Sequence, residues 1–480
     1  MTQRSDAPIA GWPTLIAPVA GGLWAAAALF NPRMFDDQDT NWHLATGQLI
    51  LRTHSIPTTD PFSWPAAGRP WVTHEWLSEV VIALAYQAGS WAGMALLAAA
   101  ALTIIVTIFA IRAGQWLAPQ RAALAVIIVA AAIAPTTLVR PHLLAFVLLT
   151  AWTALLIDAR RRDGVPPWWS LLILILWVNM HASWILGCGL AGAFGLEALL
   201  RSQSRLLTFK KWAVFGLACF GVTLLNPQGF VAWLYPFDVS SMSALHLIGE
   251  WRPVDYRKDY LYLACMAVVV LGVLRLHRQL GPVRIIVMAG LMVMALQHIR
   301  HLSPFALVSS LILLDAVRDE PRWAMTTGVR AGPAVLVALV MFLGSAGLRL
   351  LIPVDRHDNR ANPMAAIAAV PAHIRALPVI NFYDYGGVLI LNGIRPYVDG
   401  RADMYGDAHM AEYEQVLAGN PATFDTVVRE GKVGWILVHR ENALARLAAK
   451  RGWQRLYGDQ FAVVFVRPDL AVKPLPQTPA

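Results

Sequence analysis

Three carboxylates, Asp36, Asp37 and Asp39, fall within four positions in the segment FDDQDTNWH. Carboxylates this close repel one another, so they need a cation, a basic neighbour or a raised pKa on one member. Two chemistries follow from the spacing. Asp37 and Asp39 can share a divalent cofactor such as Mg²⁺ or Mn²⁺, or one of them can act as a general base. The plainer alternative is a solvated loop that caps the next helix, with Asp39 or Thr40 as N-cap. The same stretch carries His43, Arg52, His54, His74 and Glu75. WHL and HEW lack zinc-ligand spacing, so no histidine metal centre is indicated. Each histidine reads equally well as a hydrogen-bonded interfacial residue.

A second polar set is dispersed: Arg140, His142, Asn179, His181, Glu250, Arg252, Arg300 and His301. These lie at the ends of apolar runs or in the connections between them. Ionisable groups near membrane depth are costly and face a cavity or a partner. Cations from several helices converging on one level would form a receptor for phosphate or pyrophosphate. Single arginines at helix ends also serve as snorkelling anchors. Farther on, PYVDGRADMYGD holds Asp399, Arg401 and Asp403. It reads as a strand and a turn fixed by an Asp–Arg pair, or alternatively as a loop overhanging a membrane site.

The elements that must position these residues are membrane spans. Hydrophobic residues make up 57% of the 480, only 14% are charged, and mean hydropathy is +0.51. Soluble domains carry about 25% charged residues. Apolar runs predict about eleven spans: roughly 9–30, 91–111, 122–138, 142–157, 168–179, 184–200, 212–225, 260–274, 285–296, 302–314 and 331–352. The first is too long for a signal-peptide core and reads as uncleaved. Basic residues alternate with the spans: Arg112 to Arg121, Arg160 to Arg162, then Arg201, Arg205, Lys210 and Lys211. The series continues with Arg275, Arg278 and Arg284, and ends with Arg318, Arg322 and Arg330. That alternation predicts a cytoplasmic N-terminus and an outward C-terminal segment. It also explains the net charge of +9 without a nucleic-acid partner. Cys188, Cys219 and Cys265 sit in or beside apolar runs as small hydrophobes, with no disulfide framework.

The outer connections are distinct. The first, 31–90, contains two amphipathic stretches, WHLATGQLILR and HEWLSEVVIALAYQ, which read as interfacial helices. After 352 the composition becomes that of a small α/β domain, 353–480. VINFYDYGGVLIL, VGWILVHR and FAVVFVRP read as strands, PATFDTVVREG and ENALARLAAKRG as helices, and VKPLPQTPA as a disordered tail. The predicted fold is thus mainly α, a polytopic helical bundle (1–352) with a trailing extracytoplasmic α/β domain.

This arrangement resembles the GT-C superfamily of polytopic glycosyltransferases, including the family 39 and protein-mannosyltransferase-like enzymes and the lipid A aminoarabinose transferases. The resemblance rests on the acidic FDDQDTNWH segment after the first span, the interfacial helices, the outward polar turns and the trailing domain. It implies sugar transfer from a polyprenyl-phosphate donor to a glycan, lipid or protein acceptor outside the cytoplasm, in a bacterial inner membrane. It places the catalytic carboxylate at Asp37 or Asp39, with Asp36–Asp37 as an alternative register. The Asp-Glu pair of the best-known protein mannosyltransferases is absent from this loop. The remaining set, Asp36, His43, His74, Glu75, Arg140, His142, Asn179, His181, Glu250, Arg252, Arg300 and His301, transfers only by role, as substrate ligands. A transporter or flippase of a lipid-linked or anionic substrate, or a non-catalytic envelope scaffold, are the competing readings. The absence of a repeat and the placement of polar residues at span ends weigh against transport.

Overall fold

The computed structural model describes residues 15–318 and 331–470. Arg4, the start of the first expected span, Arg322, Arg330 and the expected tail at 472–480 lie outside those residues. The membrane portion comprises α1 (Ile16–Leu29), α2 (Thr40–Thr53), α3 (Trp76–Trp116), α4 (Pro119–Ile133), α5 (Pro141–Arg161), α6 (Leu171–Met180) and α7 (Trp184–Arg201). It continues through α8 (Arg205–Thr223), α9 (Val231–Ser240), α10 (Tyr260–Leu280), α11 (Pro282–Gln297), α12 (Leu302–Val317) and α13 (Ala331–Leu351). Among the described residues eight helices are long and apolar enough to cross a bilayer, in eight of the expected places. Three shorter apolar helices, α1, the stretch Trp168–Met180 and α11, occupy the other three.

Two of these elements differ from expectation. The second amphipathic stretch of the first loop is not a separate interfacial helix. It is the first part of α3, which runs 41 residues and bends where Gly89 and Ser90 leave helical geometry. The other, α2, is buried rather than interfacial: every residue from Thr40 to Gly47 is shielded. It lies against α3 and under the C-terminal segment, so its polar side chains face protein and not head groups. Gly47 permits this closeness, since a Cβ there would strike the Glu79 carbonyl.

The bundle is tied at one end by a buried ion network. Arg284 joins Glu197 (3.1 Å) and Asp315 (2.6 Å), Arg161 joins Asp315 (2.8 Å), and Arg112 pairs with Asp158. These cations come from the basic connections that the sequence places inside, yet Arg284 is a buried helix residue. Arg140 caps the opposite end of α5. At 1.5 Å per residue, the 21 residues of α5 hold the two ends about 30 Å apart.

Beyond α13 a four-stranded sheet has the order β1-β2-β4-β3, with β1 (Val379–Asn381) parallel to β2 (Trp435–Val438) and the other pairs antiparallel. β3 (Gln454–Gly458), not expected from the sequence, pairs with β4 (Val463–Val466). Short helices α14 (Met364–Ala368) and α15 (Ala372–Arg375) precede the sheet. Then come α16 (Gly386–Leu391), α17 (Ala402–Leu417), α18 (Pro421–Glu430) and α19 (Ala443–Lys450). Only the first three residues of the expected VINFYDYGGVLIL strand are strand. The chain then turns at Tyr383–Tyr385 into α16. The glycines explain the turn. A Cβ at Gly386 would meet Asp399, and one at Gly387 the Gln38 carbonyl, so this segment folds back to lie against the acidic loop. One C-terminal core is continuous with that loop, for Trp42, Ala45, Ala66 and Trp71 are buried in the same cluster as Tyr397, Tyr405 and Ile436.

Candidate active site

The acidic segment is held by its own backbone. Asp37 Oδ1 accepts hydrogen bonds from the N–H groups of Asp39 (2.7 Å) and Thr40 (3.0 Å), which makes Asp37 the side chain that caps α2. Asp39 is the N-cap position, but its side chain makes no capping bond. Asp39 is thereby released for other work. Its Oδ1 accepts from the Trp42 indole N–H (2.9 Å) and its Oδ2 meets Arg140 (2.5 Å). Asp36 points elsewhere, exposed and bonded to Asn359 (2.7 Å).

Arg140 gathers the site. Its guanidinium reaches Asp39 (2.5 Å), Glu250 (3.0 Å) and Asp37 (3.4 Å). Glu250 also pairs with Arg300 (3.3 Å), whose guanidinium lies over the Trp251 ring (4.4 Å). Thus the first loop, the turn before α5, the connection between α9 and α10 and the turn before α12 meet at one place. Burial pushes the Asp39 carboxyl up to about 8; Arg140 opposes the rise, and Asp37 and Glu250 reinforce it. Burial works on Glu250 too, but Arg140 and Arg300 pull it down to about 2.

Beside this lies a histidine group around Glu75. Its carboxylate is 3.5 Å from His181 Nε2, 3.6 Å from His74 Nε2 and 3.7 Å from His43 Nε2. His43 Nδ1 faces Glu79 at 3.2 Å. Burial drives His43 and His181 down to about 3, so both rings are neutral. His74 moves upward against burial, because Glu75 is beside it. His181 Nδ1 accepts the Ser183 backbone N–H (3.1 Å), which leaves Nε2 as the proton-bearing atom facing Glu75. His74 also stacks near Tyr235 (4.3 Å), whose hydroxyl donates to Asp403 (3.0 Å) in the C-terminal segment.

Other expected ligands are placed differently. Asn179 has its amide committed, accepting from the Trp76 indole and donating to the Ile175 and Leu225 carbonyls, so it braces helices. Arg252 turns away into a bidentate pair with Asp259 (2.6 and 2.8 Å). His142 Nε2 is bound to the Thr136 carbonyl (2.9 Å), and His301 packs edge-on to Trp251 and His298. Arg52 and His54 are exposed at the far end of α2. The residues present do not fit Mg²⁺ or Mn²⁺. A cation between Asp37 and Asp39 would take the place Arg140 holds. Among the described residues no group of three or more His, Cys, Asp or Glu side chains is arranged to hold a metal.

The sequence reading passed over Trp42, Glu79, Tyr235, Trp251 and Tyr383. Trp42 and Glu79 had a signal in helical spacing, three and four residues from Asp39 and Glu75. The others sit in segments whose fold is set by distant contacts. The DGRAD loop lies over the site: a Cβ at Gly400 would collide with the Asp39 carboxylate and the Trp42 indole. Arg401, 1% exposed, pairs with Asp399 (2.7 Å) and with Asp60 of the first loop (2.7 Å). The expected Asp–Arg pair is present, but a helix, α17, follows it, and no strand precedes it.

No family model matches the chain, and no curated protein does. Solved structures do. The archaeal oligosaccharyltransferase AglB from Archaeoglobus fulgidus, in complex with an inhibitory peptide and a dolichol-phosphate, aligns with a TM-score of 0.56 at 11% identity. The alignment covers 89% of this chain and 69% of that one. The same enzyme tethered to an acceptor peptide gives 0.57 at 11% identity, over 95% and 74%. ArnT from Cupriavidus metallidurans in the apo state gives 0.53 at 14% identity, over 96% and 99%. Identities this low carry the architecture alone, and what they establish is that the chain shares the fold of these solved membrane proteins.

Proposed function

We propose that this protein is a membrane glycosyltransferase. It moves a sugar from a polyprenyl-phosphate donor to an acceptor hydroxyl or amine at the membrane face bearing the acidic loop. The observation that carries this reading is the junction of Asp39, Arg140, Glu250 and Arg300, supplied by four separate connections. A buried carboxylate with a raised pKa beside two guanidiniums suits acid–base work next to an anionic leaving group. Asp39 takes the proton of the acceptor as its oxygen or nitrogen bonds to the anomeric carbon. The bond from that carbon to the phosphate oxygen breaks, and its electron pair leaves with the lipid phosphate. Arg300 is the more accessible cation, with one carboxylate partner and a side chain 28% exposed, and it receives that charge together with Arg140. The alternating basic connections support a C-terminal segment on the outer side of the membrane, and the resemblance to the GT-C enzymes supports a bacterial inner membrane as its place.

The test uses purified protein in lipid nanodiscs, a labelled polyprenyl-phosphate sugar and an extract of envelope acceptors. Transfer is expected from the wild type and lost in Asp39→Asn. A double variant, Asp37→Asn with Asp39→Asn, that transfers sugar normally would remove the mechanism.

A further inference from the structure

Tyr383 stands at the turn where the C-terminal segment folds back over the acidic loop. It is 5% exposed, and its hydroxyl has no hydrogen-bond partner among the described residues. Its place is fixed, since its backbone N–H donates to the buried Tyr413 hydroxyl (2.7 Å) and the ring belongs to the core shared with Trp42 and Trp71. Buried hydroxyls are nearly always paired, and an orphan asks for an explanation such as a bound group. Its surroundings name the chemistry of that group. Burial, reinforced by the charges of Asp39, Asp399, Glu250 and Asp403, holds the phenol far above its ordinary range, so it keeps its proton. Each of those carboxylates has partners of its own: Arg140, Trp42 and Arg300 for the first two, Arg401 and Tyr405 for Asp399, Tyr235 for Asp403. With those carboxylates engaged, the Tyr383 hydroxyl keeps both its donor and its acceptor capacity for a bound group. It suits a polyol, whose hydroxyls both donate and accept.

We propose that the Tyr383 hydroxyl donates a hydrogen bond to a ring hydroxyl of the transferred sugar, so that the C-terminal segment reads the sugar while the arginines hold the lipid phosphate. This rests on the glycosyl-transfer reading above. Tyr383→Phe removes only the unpaired oxygen, so the fold is expected to melt at the same temperature or slightly higher.

Binding is measured in nanodiscs with undecaprenyl phosphate, undecaprenyl-phosphate glucose and undecaprenyl-phosphate mannose. Wild type is expected to hold at least one sugar-bearing lipid more tightly than the bare lipid. Tyr383→Phe is expected to weaken that lipid about tenfold, equivalent to about 1.4 kcal/mol, and to leave the bare lipid unchanged. Equal affinities in variant and wild type, equal weakening of bare and sugar-bearing lipids, or a wild type indifferent to the sugar each overturn the proposal. A wild type that binds none of the three sinks the transfer reading itself, and this proposal with it.

Discussion

At the scale of the residue, the proposed chemistry rests on Asp39 and its neighbours. Asp37 spends its oxygen on capping α2, while Asp39, the N-cap residue, makes no cap bond and turns to Arg140. The two carboxylates of one short motif therefore divide the labour. Asp39→Asn is expected to lower kcat by about 10²–10⁴, the range for a lost general base, measured by sugar transfer. Asp37→Ala is expected to cost about 1 kcal/mol of stability through the lost cap, read from thermal unfolding. A base is active when ionised, and the Asp39 carboxyl stands near 8. Between pH 6 and 8 kcat/KM is expected to rise close to tenfold per unit, then level off. A flat profile over that range would show that another group removes the proton. Because Arg140 bridges the carboxylates, treatment with a chelator is expected to leave transfer intact; its abolition would mean a cation displaces the guanidinium.

At the scale of the element, α2 and the 383–401 stretch hold the site between them. Gly387 faces the Gln38 carbonyl and Gly400 faces Asp39, so the two segments approach with no side chain between. Arg401 fastens the contact by bridging the buried Asp60 and Asp399. Arg401→Met leaves two buried carboxylates without their cation. It is expected to destabilise by about 3–5 kcal/mol, seen as a large fall in melting temperature in detergent. Little of this was legible beforehand. Helical periodicity disclosed α2, and turn chemistry disclosed the Asp399–Arg401 pair. The burial of α2 was not visible, because its polar face pairs with protein groups far along the chain. An amphipathic pattern cannot tell head groups from such partners. The misread strand after Asn381 has the same origin: its apolar run is buried either way, and contacts of Gly386 and Gly387 choose helix.

At the scale of the molecule, hydropathy and charge were the strongest signals. Among the described residues, eight expected spans are helices long enough to cross a bilayer and three coincide with shorter apolar helices. Asp37, Asp39 and Glu250 meet at Arg140, with Arg300 joined through Glu250. Sequence could name the arginines at span ends, but not that Arg252 would prefer Asp259 or that Asn179 would brace helices. Such choices depend on a few ångströms between helices. The topology carries its own prediction. A cysteine placed at exposed Lys258 is expected to react with an impermeant maleimide in intact cells, whereas one at exposed Asp163 reacts only after permeabilisation. Reversed labelling would overturn the orientation.

The contact between Gly400 and Asp39 also has a bearing on how the protein is made. Asp39 leaves the ribosome more than three hundred residues before the backbone that roofs it. A nascent chain with its helices already inserted therefore carries an unroofed carboxylate, and Trp42 beside it has no cover from above. Biogenesis itself keeps this carboxylate uncovered until the 383–401 stretch has been made.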